Sequence, residues 1–141
     1  MPSPTVAKIT PLITVEAIEP CLPFWTDLLG FETTVTVPHG DHLGFAILQR
    51  GDLELMYQTR ASIDADLGTS GGPKALGREL GGSTSTLFIE VERLDDVIAA
   101  IGKTDVVVPR RQTFYGMDEI FVRPPCGTLV GFAAKVEGAG A

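Results

Sequence analysis

From Lys8 to Val15 the chain alternates with a period of two, with Ile9, Pro11, Ile13 and Val15 on one face and Thr10, Leu12 and Thr14 on the other. That is the period of a strand. Pro11 has no N–H to give to a ladder, so this strand belongs at a sheet edge or in exchange with a second copy. Between Ala17 and Leu29 the period becomes that of a helix, with Phe24, Trp25, Leu28 and Leu29 as its apolar stripe. Pro20 and Pro23 crowd its first turn, and Gly30 suits a left-handed cap. Three strands follow, Phe31 to Val37, His42 to Gln49 and Leu53 to Gln58, divided by Pro38-His39-Gly40-Asp41 and Gly51-Asp52.

From Thr59 to Ser83 the pattern dissolves into Gly, Ser, Thr and Ala, with room for one short helix at Pro73 to Leu80. Such a long connection is often a lid. Then the first pattern returns: Ile89-Glu90-Val91-Glu92 follows Ile13-Thr14-Val15-Glu16 by 76 residues. Leu87, Ile89 and Val91 face one way and Thr86, Phe88 and Glu90 the other. Leu94, Val97, Ile98 and Ile101 have the spacing of a helix lying on a sheet, and Gly102 closes it. Val106 to Pro109, Met117 to Arg123 and Thr128 to Ala134 read as three more strands, the last two joined by Pro124-Pro125-Cys126-Gly127. The chain thus divides into module one (about 8–58), a linker (about 59–83), module two (about 84–134) and a flexible Gly- and Ala-rich tail (135–141). Each module alone is marginal, since a chain that small buries only roughly 60% of its surface. Together they form a single domain, and two equivalent units can enclose a cavity.

Composition narrows the function. A hydrophobic content of 44% supports a continuous core, and a net charge of −7 with no basic stripe argues against nucleic acid. No stretch approaches the ~18 apolar residues of a membrane span, and the first ten residues lack the features of a secretory signal. Cys21 and Cys126 show no metal or redox spacing and no adjacent base. A cytoplasmic protein with reduced thiols is the expectation.

Strand, helix and three strands, twice, resembles the vicinal oxygen chelate superfamily of glyoxalases, bleomycin-resistance proteins and extradiol dioxygenases. Phe24-Trp25-Thr26-Asp27-Leu28-Leu29-Gly30-Phe31-Glu32 is similar to the first-helix signature of that group. Tyr115-Gly116-Met117-Asp118-Glu119, continuing through Arg123-Pro124-Pro125-Cys126-Gly127-Thr128-Leu129, is similar to its closing hairpin. The resemblance implies an α+β fold of two tandem βαβββ modules, a cup-shaped, mostly antiparallel sheet with helices outside, and a homodimer that can exchange its first strand. In metal-bearing relatives four side chains hold one divalent ion, and the matching positions here are Thr10, Glu54, Thr86 and Gly131. One carboxylate cannot retain an ion that needs at least three strong donors, so the expectation is no metal and no cofactor.

On that face Gly131 is expected to enlarge a cavity lined by Leu12, Met56, Phe88 and Leu129, a pocket for a flat or greasy molecule. Glu54 and Glu90 can meet a cationic group, Thr86 lies beside them, and Tyr115 stands at the rim to stack on a ligand. Arg110 and Arg111 read as a solvated strand end that Asp118 and Glu119 can neutralise, and His39 and His42 as turn residues. The expected function is metal-free sequestration of a small hydrophobic or cationic molecule such as an antibiotic, with no assignable catalytic residue. The alternative is a metal-dependent lyase, isomerase or dioxygenase with non-standard ligands, or a metal-free enzyme using Glu54 or Glu90 as base.

Overall fold

The computed structural model describes residues 4–5, 7–80, 85–125 and 127–136. Its first sheet contains β1 (Leu12–Val15), β2 (Glu32–His39), β3 (His42–Arg50) and β4 (Leu53–Thr59) in the order β1-β4-β3-β2. The second contains β5 (Thr86–Glu90), β6 (Asp105–Gln112), β7 (Met117–Arg123) and β8 (Leu129–Lys135) in the order β5-β8-β7-β6. In each sheet the first strand runs parallel to the last and the other pairings are antiparallel. The repeat in the sequence is a repeat of topology, two βαβββ modules in an α+β fold.

Edge chemistry explains the short first strand. β1 lies at the rim of its sheet and begins at Leu12 rather than Lys8. The Pro11 carbonyl accepts from the Met56 N–H at 2.9 Å, but proline has no N–H to return. β1 pairs with β4 of its own chain.

The expected helix at Ala17–Leu29 is broken into a 3-10 turn at Glu19–Cys21 and a π-helical stretch at Phe24–Leu28. Pro20 and Pro23 remove two donors from the opening turns, so a regular ladder cannot start there. Phe24 and Trp25 are both buried, with rings 5.1 Å apart in an edge-to-face contact. Gly30, at φ 72°, turns the chain so that the Phe31 N–H reaches the Trp25 carbonyl at 2.9 Å, the left-handed closure expected from the sequence.

The segment after β4 corrects the linker expectation. It holds α1 (Arg60–Thr69) and α2 (Leu76–Leu80), of which only the second was anticipated. α1 has one buried side chain, Ile63, and so no apolar stripe to betray it. Its start is capped by Thr59, whose hydroxyl accepts from the Ser62 N–H at 3.1 Å. α2 docks tightly: the Gly77 N–H donates to Asp64 Oδ1 at 2.8 Å, and a Cβ at Gly77 would lie 2.3 Å from the Arg60 carbonyl oxygen. The expected start of module two at Thr84 falls outside the described residues, as do Cys126 and all of the tail beyond Val136. Val136 itself donates its N–H to the Gly116 carbonyl at 2.9 Å. Cys21 is disulfide-bonded, which corrects the expectation of reduced thiols. Among the described residues no helix is long and apolar enough to cross a membrane.

One hydrophobic cluster serves both modules. Phe24, Trp25, Leu48 and Tyr57 of the first pack in the same core as Leu94, Val97, Ile101, Val130 and Phe132 of the second. Phe24 and Phe132 meet across the seam with ring centroids 6.5 Å apart. The helix of module two, α3 (Leu94–Ile101), follows its predicted range and is capped by Gly102 at φ 55°. β6 is longer than Val106–Pro109 because ion pairs to β7 carry it through Gln112.

Within the core, Trp25 Nε1 donates to the Tyr57 hydroxyl at 2.8 Å, joining the π-helical stretch to β4. Burial pushes the Tyr57 phenol up to about 12, against the opposing pull of the Trp25 bond. Replacing Tyr57 by Phe strands a buried indole N–H, and the expected loss is about 1–3 kcal/mol in denaturant unfolding followed by tryptophan fluorescence.

On the surface, the Arg110 guanidinium donates to Asp118 at 2.7 Å and to Asp95 at 2.7 Å, tying β6 to β7 and α3. Hydrogen bonds from Arg110 hold the Asp118 carboxyl below its ordinary range. A carboxyl depressed on folding contributes stability above its unfolded pKa of about 4 and loses it as pH falls through the folded value. The melting temperatures of Arg110→Met and the parent protein are therefore expected to differ near neutrality and to converge in strong acid, which thermal melts along a pH series will show.

Candidate functional site

Strand register assigns the predicted site residues on strands to a face, and Tyr115 lies in the turn between β6 and β7. On the first sheet Leu12 stands opposite Met56, and Glu54 opposite Gln49. On the second, Thr86 stands opposite Leu129, Phe88 opposite Gly131, and Glu90 opposite Ala133. These positions alternate with core residues such as Leu55, Tyr57, Val130 and Phe132, so each set lies on the sheet face turned away from the shared core. The two open faces expose apolar surface: Leu12 is 46% exposed, Phe88 51% and Tyr115 51%.

Within one chain the nine residues do not line one pocket. The space between the modules is core, and what remains is a cleft of about 710 Å³. Its apolar wall comes from Trp25, Leu29 and Phe31 on one side and Leu87, Ile89 and Val91 on the other. Glu54, Phe88 and Glu90 reach its rim, whereas Leu12, Met56, Thr86, Tyr115, Leu129 and Gly131 do not line it.

The four positions that the sequence resemblance matched to metal ligands, Thr10, Glu54, Thr86 and Gly131, do not offer an ion a donor set. Glu54 already has a cation: Lys8 Nζ donates to its Oε2, and Gln49 Nε2 donates to the same oxygen at 2.8 Å. Lys8, then Gln49, hold the Glu54 carboxyl below the usual carboxylate range. Thr10 and Thr86 offer only hydroxyls. Among the described residues no three His, Cys, Asp or Glu side chains converge on one point. His39 and His42 face each other at the end of the β2–β3 hairpin, both exposed, with His42 Nδ1 3.6 Å from Glu19.

Gly131 does not enlarge a cavity, which corrects the sequence expectation. The Phe121 ring lies over it, so that a Cβ at 131 would sit 2.5 Å from Phe121 Cε2. Phe121 in turn stands 6.4 Å from Phe88, ring centre to ring centre. The missing side chain is replaced by an aromatic surface.

Sequence reasoning missed the character of Glu119. Arg110 and Arg111 pair with Asp118 and Glu119 as anticipated, but the Glu119 side chain is 0% exposed. Its Oε1 accepts from Arg111 Nη2 at 3.1 Å and its Oε2 from the Tyr115 hydroxyl at 2.8 Å. The usable signal was alternation: Met117, Glu119 and Phe121 share a face, so the carboxylate had to lie in line with an aromatic residue.

No family model matches the sequence, and no curated protein does. Solved structures match its fold. A glyoxalase/bleomycin resistance protein/dioxygenase from Nocardioides superposes with a TM-score of 0.71 at 20% identity, over 99% of this chain and 91% of that one. A bleomycin-binding protein from bleomycin-producing Streptomyces verticillus, complexed with copper(II)-bleomycin, gives 0.60 at 22% identity over 94% and 98%. A lactoylglutathione lyase from Agrobacterium tumefaciens gives 0.64 at 13% identity over 94% and 96%.

The packing of Phe121 on Gly131 makes a direct prediction. Gly131→Ala forces the ring to move and is expected to cost about 1–3 kcal/mol in equilibrium unfolding, whereas the same substitution at a glycine with open space for a methyl and no positive φ, such as Gly68, is not.

Proposed function

We propose, from the premise that this chain has the fold of the glyoxalase, bleomycin-resistance and dioxygenase proteins, that it is a metal-free binding protein for a small hydrophobic or cationic molecule such as an antibiotic. The observation that carries the reading is the nature of the open faces. They present Leu12, Met56, Phe88, Phe121 and Leu129 to a ligand, with Gly131 covered by an aromatic ring rather than replaced by a donor. This fold carries both a lyase and a bleomycin-binding protein, so the fold alone does not choose between them. Donor chemistry favours binding: the lyase, isomerase and dioxygenase reactions of the fold share an ion as electrophile, and the four positions that would hold it do not fit one.

The binding unit in this proposal is a homodimer, with the open face of the first sheet of one copy set against the open face of the second sheet of the other. Support comes from apolar exposure on both faces, Leu12, Val35 and Val37 on one and Phe88 and Tyr115 on the other. Assembly needs no strand exchange, because β1 is paired within its own chain. The small-molecule site then lies between copies, where Leu12, Glu54 and Met56 of one meet Thr86, Phe88, Glu90, Tyr115, Leu129 and Gly131 of the other. Glu90 supplies the attraction for a cationic group, since Lys8 already compensates Glu54.

Titration calorimetry with bleomycin and a panel of aromatic antibiotics tests this reading, in parallel with sedimentation equilibrium. The expected result is a dimer that binds at least one compound at one per chain, with affinity unchanged by EDTA and stability raised by about 2.7 kcal/mol at a hundredfold excess over Kd. Loss of binding on chelation, restored by a divalent ion, would overturn it in favour of the metal-dependent alternative.

A further inference from the structure

Two rows of side chains run across the open face of the second sheet. The first is polar: Arg111 on β6, Glu119 on β7, Ala133 on β8 and Glu90 on β5 are successive register partners. The second is aromatic: Phe121, Gly131 and Phe88 are partners in the same way, and the Phe121 ring covers the glycine. Tyr115 and Phe114 stand beside them at the β6–β7 turn, edge-to-face at 5.0 Å.

The polar row is built around a carboxylate that water does not reach. Fastening a hairpin does not require this, because an apolar pair of similar volume does so without desolvating a charge. What the buried Glu119 does is hold two half-exposed groups still. One of its oxygens orients the Arg111 guanidinium, the other the Tyr115 phenol. Among the described residues Glu119 is the only side chain bonded to Arg111, which is 52% exposed, so the rest of the guanidinium fork faces outward. A fixed planar fork matches a carboxylate with two parallel hydrogen bonds. Beyond the Tyr115 ring, which shares the Glu119 carboxylate with Arg111, Phe121 is diagonal to Arg111 across the strand pair, a separation of about 7–8 Å between such positions. That is the span of a one- or two-ring aromatic acid. Glu90 at the far end of the row sets the direction by repelling an acid there.

We propose that this face recognises a planar aromatic carboxylate, its ring against Phe88 and Phe121 and its acid group on the outward N–H groups of Arg111, with Glu119 as the positioning residue. The inference rests on the proposed binding function and narrows it, keeping its hydrophobic ligand and replacing the cationic group with an acid held at the Arg111 end of the row.

Calorimetry with three probes of equal ring size tests it: naphthalene-2-carboxylate, the neutral naphthalene-2-methanol and the cationic 2-naphthylmethylammonium. The acid is expected to bind about tenfold tighter than the alcohol, with the ammonium weakest. The double variant Arg111→Met with Glu119→Gln removes both charges and leaves no buried ion unpaired. It should bring the acid down to the alcohol's affinity while leaving the alcohol unchanged. Arg111→Lys keeps the charge without the fork and should lose most of the preference, which keeps the test open if the double variant does not fold. Equal affinities for the three probes, or preference for the ammonium, would overturn this inference and leave the binding function standing. No binding of any probe overturns it too, and only if every antibiotic also fails does the broader reading fall with it.

Discussion

A module of one sheet and one helix cannot cover both faces of the sheet, and here each module solves half of that problem with the other. The aromatic seam of Phe24, Trp25 and Phe132 merges two small cores into one. Because that seam takes the helix-bearing face of each sheet, the opposite faces are left to solvent, with their apolar and aromatic side chains outward. Function has to be sought there, and the exposure of Leu12 and Phe88 is a consequence of the packing that makes the chain stable.

Charge on those faces is organised in pairs. Glu54 is compensated by Lys8 and Glu119 by Arg111, so the strongly acidic chain carries local neutrality where a ligand would lie. Glu90 is the departure from this rule, and it sits at the end of the polar row farthest from Arg111. The result is a surface with a direction, basic at one end and acidic at the other, beside a strip of aromatic rings.

Most of the fold is legible in the sequence, because strands and α3 announce themselves through period and through Gly and Pro at their ends. What was hidden had a physical cause each time. α1 buries only Ile63, so hydrophobic periodicity could not reveal it, and its real determinants are a Thr59 cap and a backbone contact at Gly77. The first helix was anticipated, but not its π-helical stretch, which answers to two prolines and a tertiary pocket. At the candidate site alternation groups Leu12 with Met56 on one sheet and Phe88 with Gly131 on the other, as the strand register also does. It could not show that the vacancy at Gly131 is taken by a ring from the neighbouring strand, nor that Glu119 is dry, since both depend on which side chains lean across a sheet.

The ring over Gly131 also makes two positions answerable to each other. An acidic side chain at 131 meets Phe121 before it can reach an ion, and trimming Phe121 first opens a gap in the aromatic strip with nothing yet to fill it. Each step alone is a loss, so these two sites are coupled by strong epistasis. Single substitutions at either position therefore do not open this face to an ion, although only one neighbouring strand stands in the way.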